Sequence, residues 1–185
     1  MFRQQISKIK TPLQRVVQLL KRHRDIMFAE DTSGNKPISI IITTIAATLY
    51  QEEDNIVDAL TNILLAAPDW INRNKKNDLY YIENPSYPGE NFADKWNTHP
   101  ERATSFFKWI RQATMDLTGE SLYKMSLVDM GENVKRCFGE RTSKTIFSKV
   151  AEEHRAGVKD GSLKVDTSSG NLSKKGTIPV PATRH

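Results

Sequence analysis

A chain of 185 residues, 38% of them hydrophobic and 26% charged, has the material for one soluble domain with a sizeable core. No apolar run approaches the roughly 18 residues a membrane span needs; the longest, Ile38 to Leu49, is interrupted by Ser39, Thr43 and Thr44. The net charge of +5 suits a phosphate-rich ligand, but the basic residues are spread rather than blocked and do not indicate a dedicated nucleic-acid footprint. Cys137 is the lone cysteine, which excludes an internal disulfide and a cysteine-cluster metal site. It reads as a small buried hydrophobe on a V-K-R-C-F helix. The opening M-F-R-Q-Q-I-S-K carries no apolar signal segment, so a cytoplasmic location is expected.

Residues 1–10 are basic and poorly patterned and read as a lead-in. A first helix is expected from Pro12 to about Phe28. Thr11 stands at its cap and Pro12 at its first position, where a missing N–H costs nothing. Leu13, Val16, Val17 and Leu20 share one face; Gln14, Gln18, Lys21 and Asp25 form a polar stripe on another. E-D-T-S-G-N is a loop. A second helix runs to about Tyr50, with Pro37 as its start and Ile38, Ile41, Ile42, Ile45 and Leu49 as its core face. Ser39 falls in its first turn, where unpaired N–H groups and the positive dipole end favour an anion. Lysine late in one helix and serine at the start of the next would jointly hold a phosphate. On spacing alone, two packed core helices with a solvated lysine are the preferred reading.

Asp54 is placed to cap a third helix carrying Ile56, Val57, Leu60, Ile63 and Leu64, which Pro68 ends. A polar connector follows to Asp78, around Trp70 and Ile71. Leu79 to Ile82 is extended, too short for an independent sheet, and residues 79–91 form an irregular loop punctuated by proline and glycine. After a short helix at F-A-D-K-W-N, Pro100 restarts the chain with Thr98 as cap. Ala103, Phe106, Phe107, Ile110, Ala113 and Leu117 then trace a helical face. Two more helices are expected, Leu127–Phe138 and Ser143–Ala156, the latter with Ile146, Phe147 and Val150 inward. Beyond Gly157 the chain is rich in Gly, Ser and Lys, and residues 158–185 read as a weakly ordered tail. The fold expected is an all-α bundle of five to seven helices over residues 11–157.

The strings K-T-P-L-Q-R-V-V-Q-L-L-K-R-H-R-D and K-P-I-S-I-I-I-T-T-I-A-A, then I-E-N-P and E-N-F-A-D-K-W, resemble the helical lobe of bacterial nucleotidyltransferases related to cGAS and oligoadenylate synthase, the CD-NTases. The resemblance covers residues 8–118 well and the remainder loosely. It implies a helical lobe that packs on an N-terminal catalytic lobe, with a nucleotide triphosphate between them. It also implies the synthesis of cyclic oligonucleotides for antiphage (CBASS) signalling. Lys21 and Ser39 match positions that contact the triphosphate in this family. Gln18, one turn before Lys21, is a further candidate on the same stripe.

Nucleotidyl transfer also needs carboxylates that hold metal ions. In the family these follow a G-S motif as D-x-D and a third Asp. No two of the eleven aspartates here are separated by a single residue. Glu52-Glu53-Asp54 is the nearest imitation; it sits at a helix junction and follows no strand or G-S turn. No catalytic residue and no metal ligand are therefore assigned to this chain. Mg²⁺ is expected only with a catalytic lobe, whose source would be a partner chain.

The Asn84, Pro85, Glu90, Asn91, Phe92, Asp94 and Trp96 string reads either as a loop near the nucleotide or as a loop locked by asparagine hydrogen bonds with its aromatics in the core. The second reading is preferred. His23 reads as a satisfied core or boundary histidine, and Arg22 and Arg24 as solvated or paired with Asp25. A HEPN ribonuclease needs Arg-x4–6-His on one helix; Arg15 and His23 are separated by seven residues, so that class is set aside. A non-catalytic helical protein that binds a partner or a nucleotide is the alternative.

Overall fold

The computed structural model describes residues 11–118 and 127–159, with the strand residues 164–165, 172–173 and 178–179. Seven helices are formed among the described residues: α1 (Pro12–Met27), α2 (Ser39–Leu49), α3 (Ile56–Arg73), α4 (Asp94–Thr98), α5 (Pro100–Leu117), α6 (Leu127–Phe138) and α7 (Glu140–Lys159). The chain divides into two compact units, 1–138 and 139–185. The lead-in, the inward residues expected on α7 and most of the tail lie outside the described residues.

In the first unit α1 packs on α2, α3, α5 and α6, while α3 also packs on α2 and α5. The core is continuous, with Val16, Ile41, Ile63, Leu64, Ile71, Ile82, Phe106 and Trp109 fully buried within it. Thr11 and Gln14 close a reciprocal capping box on α1: the Gln14 N–H donates to Thr11 Oγ1 at 3.3 Å and the Thr11 N–H to Gln14 Oε1 at 3.1 Å.

Four boundaries differ from the sequence expectation. Pro37 does not open α2. Its carbonyl is held by Arg24, residue 38 stays extended, and Ile38 lies 48% exposed instead of in the core. Asn55, not Asp54, caps α3, accepting from the Asp58 N–H at 2.9 Å. Pro68 does not end α3. The helix runs five residues further and buries Ile71 completely. Burial of a large aliphatic side chain contributes about 1.5–3 kcal/mol, enough to offset much of the ~3 kcal/mol cost of an interior proline. Finally, Thr98 bonds to Lys95 and His99 and does not cap α5, whose N-cap is His99.

Between α3 and α4 the chain makes a two-residue hairpin. Asn77 and Asp78 both take positive φ, and Lys76 and Leu79 exchange backbone hydrogen bonds of 3.0 Å. The following loop is locked by asparagines. Asn91 Oδ1 accepts from the N–H groups of Ile82 and Ala93, both at 2.9 Å, and Asn97 Oδ1 accepts from the Tyr80 N–H at 2.8 Å. Trp96 is buried against Phe106, ring centroids 4.9 Å apart. This is the structural reading of that string.

Gly139, with φ of 81°, separates α6 from α7. The second unit carries α7 and three two-residue strands, β1 (Lys164–Val165), β2 (Leu172–Ser173) and β3 (Ile178–Pro179), paired antiparallel in the order β2-β1-β3. No described helix is long and apolar enough to cross a membrane.

Candidate functional site

The polar stripe of α1 faces a groove of about 520 Å³ against α2. Its lining is Leu13, Gln14, Val17, Gln18 and Lys21 from α1 with Thr43 and Ala47 from α2. Leu13 and Val17 are the edge of the α1 core face; the amides and the ammonium come from the stripe, at intervals of four and three residues. Lys21 is half-buried, and its ammonium has no ion-pair partner among the described residues. The groove thus offers a cation, two amides and a hydroxyl over an apolar floor, a chemistry suited to a phosphate or sugar group.

Ser39 stands at the first position of α2, as expected, but it does not line this groove. Thr43, one turn later, takes that place, and its hydroxyl donates to the Ser39 carbonyl at 2.9 Å. The Ser39 hydroxyl accepts from Arg24 Nη1 at 2.9 Å, and the same nitrogen donates to the Pro37 carbonyl at 2.9 Å. Arg24 also holds Asp25 at 2.8 Å, and Lys36 reaches that carboxylate at 2.7 Å. Burial pushes the Asp25 carboxyl upward, but the Lys36 and Arg24 hydrogen bonds outweigh it and hold it below the usual carboxylate range. Arg24 is only 7% exposed. It is the residue that sequence reasoning undervalued. The signal was present: a proline ahead of the helix leaves a carbonyl that needs a donor, and arginine can serve a carbonyl and a carboxylate with one fork.

Behind the groove His23 lies 3% exposed. Trp109 Nε1, a donor only, gives its hydrogen to His23 Nδ1 at 3.1 Å. Nε2 therefore carries the imidazole proton and donates to Asp116 Oδ2 at 3.0 Å. Asp116 Oδ1 accepts from Arg136 at 2.8 Å and from Gln112 at 2.9 Å. Burial pushes this carboxyl upward; the bonds from Arg136, His23 and Gln112 prevail and hold it low. The network ties α1, α5 and α6 together. His23 is the satisfied core histidine expected, whereas Asp116 and Trp109 were not singled out.

His23, Asp116 and Cys137 bring ligand-type atoms within 4.8 Å of one another. The donor set is already spent: both imidazole nitrogens are engaged, and so are both Asp116 oxygens. The Cys137 thiol is pushed up to about 12, mainly by burial and then by the Asp116 charge, with Arg136 opposing. This cluster is structural. Cys137 should accordingly resist alkylation by iodoacetamide at pH 8 in the native protein and react only after denaturation, which mass spectrometry of quenched samples reads directly.

The residues near the groove do not fit Mg²⁺. Its lining contains no carboxylate. Glu53 is occupied at the α2–α3 junction by Asn62 at 2.9 Å and the Gln51 N–H at 3.1 Å. A larger cavity of about 800 Å³ lies elsewhere, between α3 and α5, lined largely by apolar residues such as Leu64, Leu65, Phe107 and Met115. Lys108, Arg111, Thr104 and Thr114 line it as well, so it has cations and hydroxyls of its own; what sets the α1–α2 groove apart is the polar stripe of α1.

No protein-family model matches the chain. It is 38% identical over 101 residues to a c-di-GMP synthase of Roseivirga ehrenbergii, covering 55% of this chain and 27% of that protein. It is 25% identical over 138 residues to the cyclic dinucleotide synthase CdnG of Bradyrhizobium diazoefficiens, covering 72% of this chain and 32% of that one. The chain thus spans about a third or less of the length of these relatives. The fold matches the structure of the Bradyrhizobium diazoefficiens CD-NTase CdnG in complex with GTP with a TM-score of 0.60 at 23% identity, over 76% of this chain and 40% of that chain. The helical region of this chain is thus similar to part of the bacterial cyclic dinucleotide synthases and CD-NTase-like in fold.

Proposed function

We propose that this chain is the substrate-holding helical lobe of a cyclic-oligonucleotide synthase of the antiphage signalling kind, acting with a catalytic lobe that supplies the metal-binding carboxylates. The observation that carries the reading is the α1–α2 groove, lined by Lys21, Gln18 and Thr43 within residues 8–118, the stretch whose sequence resembles the helical lobe of the CD-NTases. The relative solved with GTP supports a nucleoside triphosphate as the substrate class. Lys21 would hold the phosphates as a point charge, and Gln18 and Thr43 would orient the group by hydrogen bonds. Ser39 would act at the first turn of α2, where Arg24 fixes its hydroxyl. In the complete enzyme a ribose hydroxyl attacks the α-phosphate of a bound NTP, and pyrophosphate leaves.

The test is synthesis from labelled NTPs and Mg²⁺, run on this chain alone and with the protein encoded immediately upstream. The chain alone is expected to give no product, because no D-x-D pair occurs in its 185 residues. A product made by the pure chain would overturn that expectation, provided it survives Glu52→Ala and Asp54→Ala and is absent from a mock preparation. Absence of product and of NTP binding in both arms would favour the non-catalytic interaction protein.

A further inference from the structure

We propose that a second cavity, bounded by Lys36, Lys95 and Arg102, is an oxyanion site for a free phosphate-sized group, separate from the Lys21 groove. The inference does not depend on the function proposed above. The cavity measures about 90 Å³ and lies between the loop ahead of α2 and the start of α4 and α5. It shares no lining residue with the Lys21 groove. Drug-sized ligands occupy roughly 300–1,000 Å³, so a nucleoside does not fit, whereas a tetrahedral oxyanion does.

The decisive observation is Arg102. Its Nε is cut off from solvent and has no hydrogen-bond partner. Neither does the rest of its guanidinium have a partner among the described residues. An inaccessible charged N–H without an acceptor is costly, and proteins rarely leave one so. An oxyanion in the cavity would receive two or three charge-assisted hydrogen bonds once the Arg102 guanidinium turns its N–H groups toward it, and the inaccessible Nε would gain its acceptor in that turn. The surrounding charge has the matching sign. Asp94 is the one carboxylate in the lining, and it stands 3.8 Å from Lys95, a loose pair. Lys36 shares Asp25 with Arg24. Three cations thus stand against one carboxylate in the lining. The buried ring of Trp96 and the partly buried ring of Phe92 form the wall, which limits competition from water.

The site is tested on the full chain with inorganic phosphate, pyrophosphate and GTP as probes and chloride at equal ionic strength as control. Binding is followed by calorimetry and by the arginine Nε–H signals in a ¹⁵N-labelled sample. Inorganic phosphate should move the Arg102 Nε–H resonance saturably, and any phosphate held at the Lys21 groove is removed by Lys21→Ala. Arg102→Gln should weaken binding at the cavity about tenfold or more and Lys95→Gln less, while Lys21→Ala should leave it unchanged. Since Lys21→Ala leaves this site intact but strikes the groove, failure here is distinguishable from failure of the proposed function. The GTP arm separates the sources. Phosphate that moves the Arg102 signal equally in the native chain and in Lys21→Ala is held at the cavity, whereas movement of the Arg102 signal by GTP that Lys21→Ala abolishes would show the tail of a groove-bound nucleotide and overturn the separate site. No saturable phosphate binding, an unmoved Arg102 signal, or wild-type affinity in Arg102→Gln would also overturn it. If Arg102→Gln fails to fold, Lys95→Gln and the wild-type Nε–H titration decide.

Discussion

Asp116→Ala should lower the melting temperature of the chain by on the order of 10 °C. The carboxylate is 6% exposed and receives hydrogen bonds from His23, Arg136 and Gln112. Removing this carboxylate costs about 3 kcal/mol, the low end for a buried pair: His23 is left with a buried N–H without an acceptor, whereas Arg136, 56% exposed, regains water. That is a large share of the roughly 5–15 kcal/mol that holds a domain together, and each kcal/mol moves the midpoint of a domain this size by about 2–4 °C or somewhat more. Asp116→Asn should cost less, since it keeps one acceptor but turns a donor toward a neighbouring donor. The pH dependence follows from the sign of the shift. The folded carboxyl titrates below its unfolded value of about 3.9. Its stabilisation is therefore complete above the unfolded value and is lost as pH falls through the folded one. Melts between pH 7 and pH 3 should show a steep acid limb in the native chain and a flatter one in Asp116→Asn. Identical melts would show that the network ties α1, α5 and α6 together without stabilising them.

Lys21→Ala should weaken nucleoside triphosphate binding far more than Arg22→Ala, in a complex restored with its catalytic lobe. A charge-assisted hydrogen bond contributes about 1.5–3 kcal/mol, or roughly ten- to a hundred-fold in affinity. Arg22 spends its Nε on the Phe138 carbonyl at 2.9 Å, tying α1 to the end of α6. Its loss should therefore appear as a lower melting temperature with affinity retained. Lys21→Ala should show the opposite pattern, since its ammonium has no ion-pair partner among the described residues. Ser39→Ala removes a neutral hydroxyl and should cost less than Lys21→Ala. Calorimetric titration of the three variants beside thermal melts separates binding from folding. Equal affinities for Lys21→Ala and Arg22→Ala would return the Gln18–Lys21 stripe to an ordinary solvated face.

What the sequence determined by itself was local or periodic. Thr11, Pro12 and Gln14 specify the start of α1 through contacts three residues apart, and the 3.6-residue spacing of Val16, Leu20, Ile41, Ile45, Phe106 and Ile110 specifies which faces are buried. The Gln18–Lys21 stripe follows from the same period, but the groove it lines, with Thr43 and not Ser39 opposite, depended on how α2 meets α1. The tertiary structure decided whatever depended on a distant residue. Pro68 is a helix breaker by local rules, yet α3 continues through it because Ile71 gains a fully buried place. Pro37 is a helix starter by local rules, yet α2 begins after it because Arg24, thirteen residues earlier, takes its carbonyl. Asp116 looks like a surface acid until α1 and α6 bring His23 and Arg136 to it. Propensity acts over one or two turns, whereas a buried hydrogen bond is set by which helices meet, and that information is spread along the whole chain.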